Sequence, residues 1–149
     1  MSIVVDVAVE QGRLGMPRAL AEAAARATLR SERVRHAALS IAVVSNRTIA
    51  AMNRQHLGHR GTTDVISFGF LPATDDAPLT GDIYIAGDVA RRAARERRIT
   101  LREELVRLVV HGTLHVLGHD HPAGSARVAS DMWKRQERLV ARVLRTARR

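Results

Sequence analysis

The stretch His111-Gly-Thr-Leu-His115-Val-Leu-Gly118-His119-Asp120-His121 packs four of the chain's seven histidines into eleven residues. It also constrains the fold more than any other segment. An apolar stripe (Leu105, Leu108, Val109) leads into it, and Thr100 stands three residues before Glu103, a capping-box signature for a helix starting near Leu101. Residues four apart lie on one helix face, about 6 Å apart along the axis, so the imidazoles of His111 and His115 can converge on one ion. Gly118 is a natural stop, because glycine accepts the left-handed conformation that turns a chain back at a helix end. The turn can bring His121 round as a third nitrogen ligand. Three protein ligands with a fourth position left open is the pattern of a catalytic zinc, whereas structural zinc closes all four. A basic helix end with surface histidines is the plainer alternative, and metal spacing followed by a glycine turn argues against it. His119 and Asp120 either orient ligands by accepting their second N–H or, for Asp120, cap the turn.

Composition narrows the chemistry further. The chain has no Cys, which removes disulfides, thiolate zinc sites and Cys nucleophiles, so a metal must be held by His, Asp or Glu. Lys and Arg total 24 against 15 Asp and Glu, giving +9 at pH 7. That balance favours polyanionic partners, although Lys134 is the only lysine and an Arg skew also follows from genome composition. With 46% apolar residues in 149, the chain is expected to form one domain over 1–149 with a real core. The N-terminal apolar run carries Asp6 and has no basic flank, so it does not read as a secretory signal. No apolar stretch reaches the roughly 20 residues of a membrane-spanning helix. A soluble, cytoplasmic protein is expected.

Alternation and helical periodicity predict strands over Ser2 to Val9, Ala37 to Val44, Val65 to Phe70 and Asp82 to Ile85. Helices are expected from Pro17 to about Arg30, over Thr48 to His56 with Ser45 or Asn46 as cap, from Gly87 through Arg98, from Leu101, and in a C-terminal segment whose inward face is Val128, Met132, Leu139 and Val143. Gly58 to Thr63 reads as a loop. Asp75–Asp76 reads as a solvated loop tip rather than a ligand pair. The order βαβαββααα implies an α+β fold, a small mixed four-stranded sheet packed with about five helices, with a single zinc site at a helix end.

The H-E-x-x-H motif of zinc proteases places a general base beside the first histidine. Gly112 stands there in this chain, so a peptidase would need a distant carboxylate.

HGTLHVLGHDH closely resembles the H-G-x-L-H-L-x-G-Y-D-H signature of the YbeY family of bacterial rRNA-maturation endoribonucleases. Asn53 followed by Thr63-Asp64-Val65-Ile66-Ser67-Phe68 resembles that family's L-N…T-D-V-L-S-F block, and Gly81-Asp82-Ile83 its G-D-I strand. The resemblance spans about Val4 to Ala141. It implies a single-strand-specific, zinc-dependent endoribonuclease acting in small-subunit rRNA 3′-end maturation and ribosome quality control. The implied partners are the rRNA precursor and the small ribosomal subunit. One Zn2+ would be held by His111, His115 and His121. Two positions depart from the pattern: His119 replaces the usual Tyr, and Leu57 stands where the family has a functional arginine. Arg60 and Asp120 are the expected catalytic residues and Arg54 and Ser67 the expected substrate contacts, with Arg54 or Arg60 able to supply the missing cation. His59, Thr63 and Asp64 could line the same cleft. Few aromatics (Tyr84, Phe68, Phe70, Trp133) leave recognition mainly electrostatic. The alternatives are a non-catalytic ribosome-assembly factor with a structural zinc, and a zinc peptidase.

Overall fold

A computed structural model describes residues 2–10, 18–54, 64–70, 72, 74, 76–121, 126–127 and 130–147. The elements run β1 (Ser2–Val9), α1 (Arg18–Ser31), β2 (His36–Val44), α2 (Asn46–Met52), β3 (Val65–Phe70), β4 (Leu79–Ala86), α3 (Gly87–Arg97), α4 (Leu101–Val116) and α5 (Asp131–Ala147). Four strands form one mixed sheet in the order β1-β2-β4-β3. β1, β2 and β4 are parallel, and β3 pairs antiparallel with β4 at the edge. The α+β expectation therefore holds, with five helices among the described residues and the predicted order.

Boundaries differ where tertiary pairing extends an element. β4 starts at Leu79 rather than Asp82, because Leu79, Thr80 and Gly81 find partners at Ala37, Ala38 and Leu39 of β2. α2 spans Asn46–Met52 and continues as a π turn through the buried Asn53 and the exposed Arg54, and Ser45 is its cap through an Oγ that accepts from the Thr48 amide at 3.2 Å. Pro17, Asp75, Val128 and the 55–63 segment with Leu57, His59, Arg60 and Thr63 lie outside the described residues.

Alternation divides the sheet into two faces. Val5, Leu39, Ile41, Val43, Ile83 and Ile85 point into the main core, which α1, α4 and α5 cover. On the other face a smaller cluster of Val44, Ile49, Ile66 and Ala86 lies under α2. Asp82 belongs to that second face and accepts a hydrogen bond from Ser40 at 2.6 Å. Ser40 is its neighbour in the ladder.

Helix α4 sits unusually close to the strands. A Cβ on Gly112 would meet Ile83 Cγ2 at 2.8 Å, and one on Gly81 would meet Val116 Cγ1 at 2.6 Å. A Cβ on Gly69 would meet the Val116 carbonyl oxygen, also at 2.6 Å. Gly69 and Gly81 are cross-strand partners, so together they form a flat patch that receives the end of the helix. The helix then closes as a Schellman turn: the Gly118 amide donates to the His115 carbonyl at 2.9 Å and the His119 amide to the Leu114 carbonyl at 3.0 Å, with Gly118 at φ 97°.

Gly69→Ala should cost about 1–3 kcal/mol, because the added methyl meets backbone rather than a movable side chain. Chemical denaturation measures this, and an unchanged midpoint would contradict the close approach.

Candidate metal centre

His111 and His115 lie one turn apart on α4, and His121 returns to them three residues after the Gly118 turn. The ring centroids stand 4.6 Å (His111–His115) and 5.1 Å (both others) apart. Each residue can offer a ligand atom within 4.8 Å of the others. A tetrahedral ion at its usual ligand distance needs about 3.4 Å between nitrogens, a difference that ring rotation can close.

The ring partners decide which nitrogens are available. His111 Nδ1 donates to Gln136 Oε1 at 2.6 Å, and His115 Nδ1 donates to the His119 carbonyl at 2.9 Å. Both acceptors lack a proton, so each Nδ1 carries one and each Nε2 keeps its lone pair. Gln136, fully buried on α5, is itself oriented, because its Nε2 donates to Glu137 Oε2 at 3.0 Å. Turning the amide over would set its oxygen against that carboxylate. Glu137 in turn accepts two bonds from Arg107 at 2.9 Å, and Arg107 also pairs with Glu103 at 3.1 Å. Arg107 holds the Glu137 carboxyl below its usual value against the opposing effect of burial.

Burial lowers the His111 pKa to about 4, and it lowers His115 as well, with neighbouring charges on His121 and Arg127 adding to the shift. Neutral imidazole is the ligand form, so the donor set fits a borderline divalent metal such as zinc without further proton loss from these two rings.

His119 is turned away from this cluster. Its ring bonds Glu32 at the end of α1, and Glu32 also takes Arg135 Nη1 at 2.7 Å. Only its backbone carbonyl serves the centre. Asp120 Oδ1 accepts from the His121 amide at 2.8 Å, capping the turn, and the rest of the side chain is exposed.

Glu104, His111 and His115 share one flank of α4 by helical spacing. The charge of Asp64, just before β3, acts on Glu104, whose carboxyl burial raises and Arg97 opposes. That flank therefore faces the β3 edge. Ser67 pairs with Ile83, the residue under Gly112, and shares its side of the sheet, which sets Ser67 level with His111. Arg54 is exposed just after α2, and Arg60 lies outside the described residues. Gly112 faces the sheet, which rules out the protease base position on steric grounds.

A family model described as Endoribonuclease YbeY matches residues 7–144. The chain belongs to the YbeY family. Relatives named Endoribonuclease YbeY include one from Anaeromyxobacter sp., 42% identical over 113 residues, covering 73% of this chain and 59% of that protein. Another, from Bacillus licheniformis, is 33% identical over 153 residues, covering 95% and 96%. The chain thus spans less than two thirds of the first of these and nearly all of the second. In three dimensions it is similar to a solution structure from Thermotoga maritima at TM-score 0.66 and 23% identity, covering 97% and 92%, which shows a shared fold.

The sequence pattern brings His111, His115 and His121 of this YbeY-family chain together, and the structure does the same, but that pattern gives no sign of Gln136, Glu32 or Arg127 near them. A buried glutamine inside the otherwise apolar inward face of α5 was the one available signal for the first. Two outcomes follow from the geometry. Gln136→Leu, close in volume but without an acceptor, should weaken metal affinity about 10- to 100-fold in competition with a chelator. In the metal-free protein His111 is a weaker base folded than unfolded, so stability is complete above pH 6.5 and falls below it. The loss should reach about 2 kcal/mol between pH 6.5 and 5. Denaturation midpoints of chelated protein across that window test this, and a flat profile would contradict the buried neutral ring.

Proposed function

We propose that the chain is a single-domain, zinc-dependent endoribonuclease that cleaves single-stranded RNA, acting in the cytoplasm on the rRNA precursor of the small ribosomal subunit during 3′-end maturation and quality control. The observation that carries this reading is the trio His111, His115 and His121, with the Nε2 edges of the first two freed by their Nδ1 partners. Membership of the YbeY family, whose relatives are named endoribonucleases, and a net charge of +9 support RNA as substrate.

One zinc ion held by these three residues would supply Lewis-acid polarisation of the phosphodiester and acidify a water. The chain's own residues then have separate tasks. Gln136 and the His119 carbonyl keep the ligand rings in the binding tautomer. Asp120 has one oxygen engaged with the His121 amide, and its second oxygen can hold the proton taken from the attacking water. Ser67, level with His111 on the sheet side, contacts the sugar-phosphate backbone. Arg54 and Arg60 draw in flanking phosphates. Among the described residues no fourth His, Asp or Glu joins the trio, and the His119 ring is bound to Glu32 instead. That supports an open position over a closed structural site. Leu57, where the family resemblance implies an arginine, favours the second reading, an assembly factor that binds RNA without turnover.

Purified protein should cleave single-stranded ribosomal RNA, and both His115→Ala and chelation should reduce cleavage to background while leaving the fold intact. Cleavage persisting in His115→Ala would defeat the assignment. Zinc and RNA bound without cleavage would favour the assembly-factor reading.

A further inference from the structure

Arg127 is six residues past the last histidine of the centre, in the segment that leads into α5. Its backbone is tied to the helix start: Ser130 Oγ donates to the Arg127 carbonyl at 2.7 Å and accepts from the Trp133 amide at 3.2 Å. The Arg127 guanidinium carbon lies 5.4 Å from the centre of the Trp133 ring. Trp133 and Gln136 are three residues apart on α5 and so share a face, and Gln136 is bonded to His111. The guanidinium is therefore on the side of α5 that also carries the partner of His111. Its charge reaches both His111 and His115.

What sets Arg127 apart is a part-buried guanidinium, held over Trp133, that no carboxylate among the described residues balances. Arg26, Arg97, Arg107 and Arg135 each have a carboxylate within 3.1 Å, whereas no carboxylate among the described residues pairs with Arg127. Its Nε is buried without a hydrogen-bond partner. A half-buried guanidinium beside a cation-binding site is unfavourable on both counts until an anion arrives between them. A guanidinium placed over an indole ring can take a phosphate through two N–H groups at its edge.

We propose that Arg127, presented by Trp133, is a phosphate-binding residue of this centre and takes a phosphodiester of single-stranded RNA beside His111 and His115. The proposal rests on the reading of the trio as a metal site acting on RNA. It accounts for a cation that no carboxylate among the described residues pairs with, placed where a metal ion alone would be repelled.

Arg127 therefore affects the two ligands in opposite directions, which separates this role from a structural one. Arg127→Ala and Arg127→Lys are compared with the native protein for zinc affinity, by chelator competition, and for binding of a labelled single-stranded RNA oligonucleotide across a salt series. Arg127→Ala should bind zinc at least as tightly as the native protein and bind RNA about tenfold more weakly. Its plot of log affinity against log salt should be shallower by about 0.7, the loss of one phosphate contact. Arg127→Lys should restore the slope and only part of the affinity, since an ammonium has no fork. Unchanged RNA affinity and slope in Arg127→Ala overturn the proposal. So does a parallel loss of zinc affinity, RNA affinity and melting temperature, which is the mark of a structural residue. If the native protein binds neither zinc nor RNA, the endoribonuclease reading itself fails, and the proposal with it.

Discussion

The close seating of α4 on the β3–β4 edge is the constraint from which the site's geometry follows. Backbone approaches side chain or backbone at Gly112, Gly81 and Gly69, and none of these places has room for a Cβ. With Gly112 pressed on Ile83, the rotation of the helix about its axis is set. That rotation leaves His111 and His115 on the flank beside the sheet edge rather than buried under the helix or exposed on top. Interiors close-packed to this degree do not adjust continuously, so the placement of the histidines depends on the glycines as much as on helical periodicity. Gly112 also explains why this helix cannot carry a protease-type base beside its first ligand.

The end of α4 serves several purposes with few atoms. The Schellman turn satisfies the terminal carbonyls of Leu114 and His115 and reverses the chain so that His121 comes back to the cluster. The carbonyl of His119, freed by that reversal, takes the Nδ1 proton of His115. The His119 ring meanwhile anchors the turn to α1 through Glu32, which Arg135 of α5 also holds. His119 thus tethers the turn to α1, with its ring outside the histidine trio.

For His111 the support comes from α5. Glu103, Arg107, Glu137 and Gln136 form an unbroken run of hydrogen bonds and ion pairs ending at His111 Nδ1. Each member settles the orientation of the next, and the last settles a tautomer. Such outer contacts matter as much as the ligands themselves, because an imidazole protonated on the wrong nitrogen offers the ion no lone pair. Arg127 adds a charge of the opposite use: it gives nothing to a bound cation and is placed to receive an anion.

Most of the architecture was legible from local pattern. Alternation marked β1, β2 and β3, the Thr100–Glu103 signature marked the start of α4, and Gly118 marked its end, because these signals depend on backbone sterics and hydrogen bonding within a few residues. The clustering of the three histidines was legible for the same reason, since helical spacing and one glycine turn bring all three together over eleven residues. Other features depended on long-range packing. The start of β4 was set by pairing with β2, and Gln136 reaches His111 across 25 residues. Glu32 reaches His119 across 87. Arg127 was one arginine among many until Trp133 and Gln136 showed which side of the centre it occupies. The chain's local chemistry by itself determined that a metal-competent histidine cluster would form at a helix end. Only the packing of α1, α4 and α5 against the sheet decided which nitrogens face inward and which charge stands beside them, because no local periodicity encodes contacts between elements so far apart in the chain.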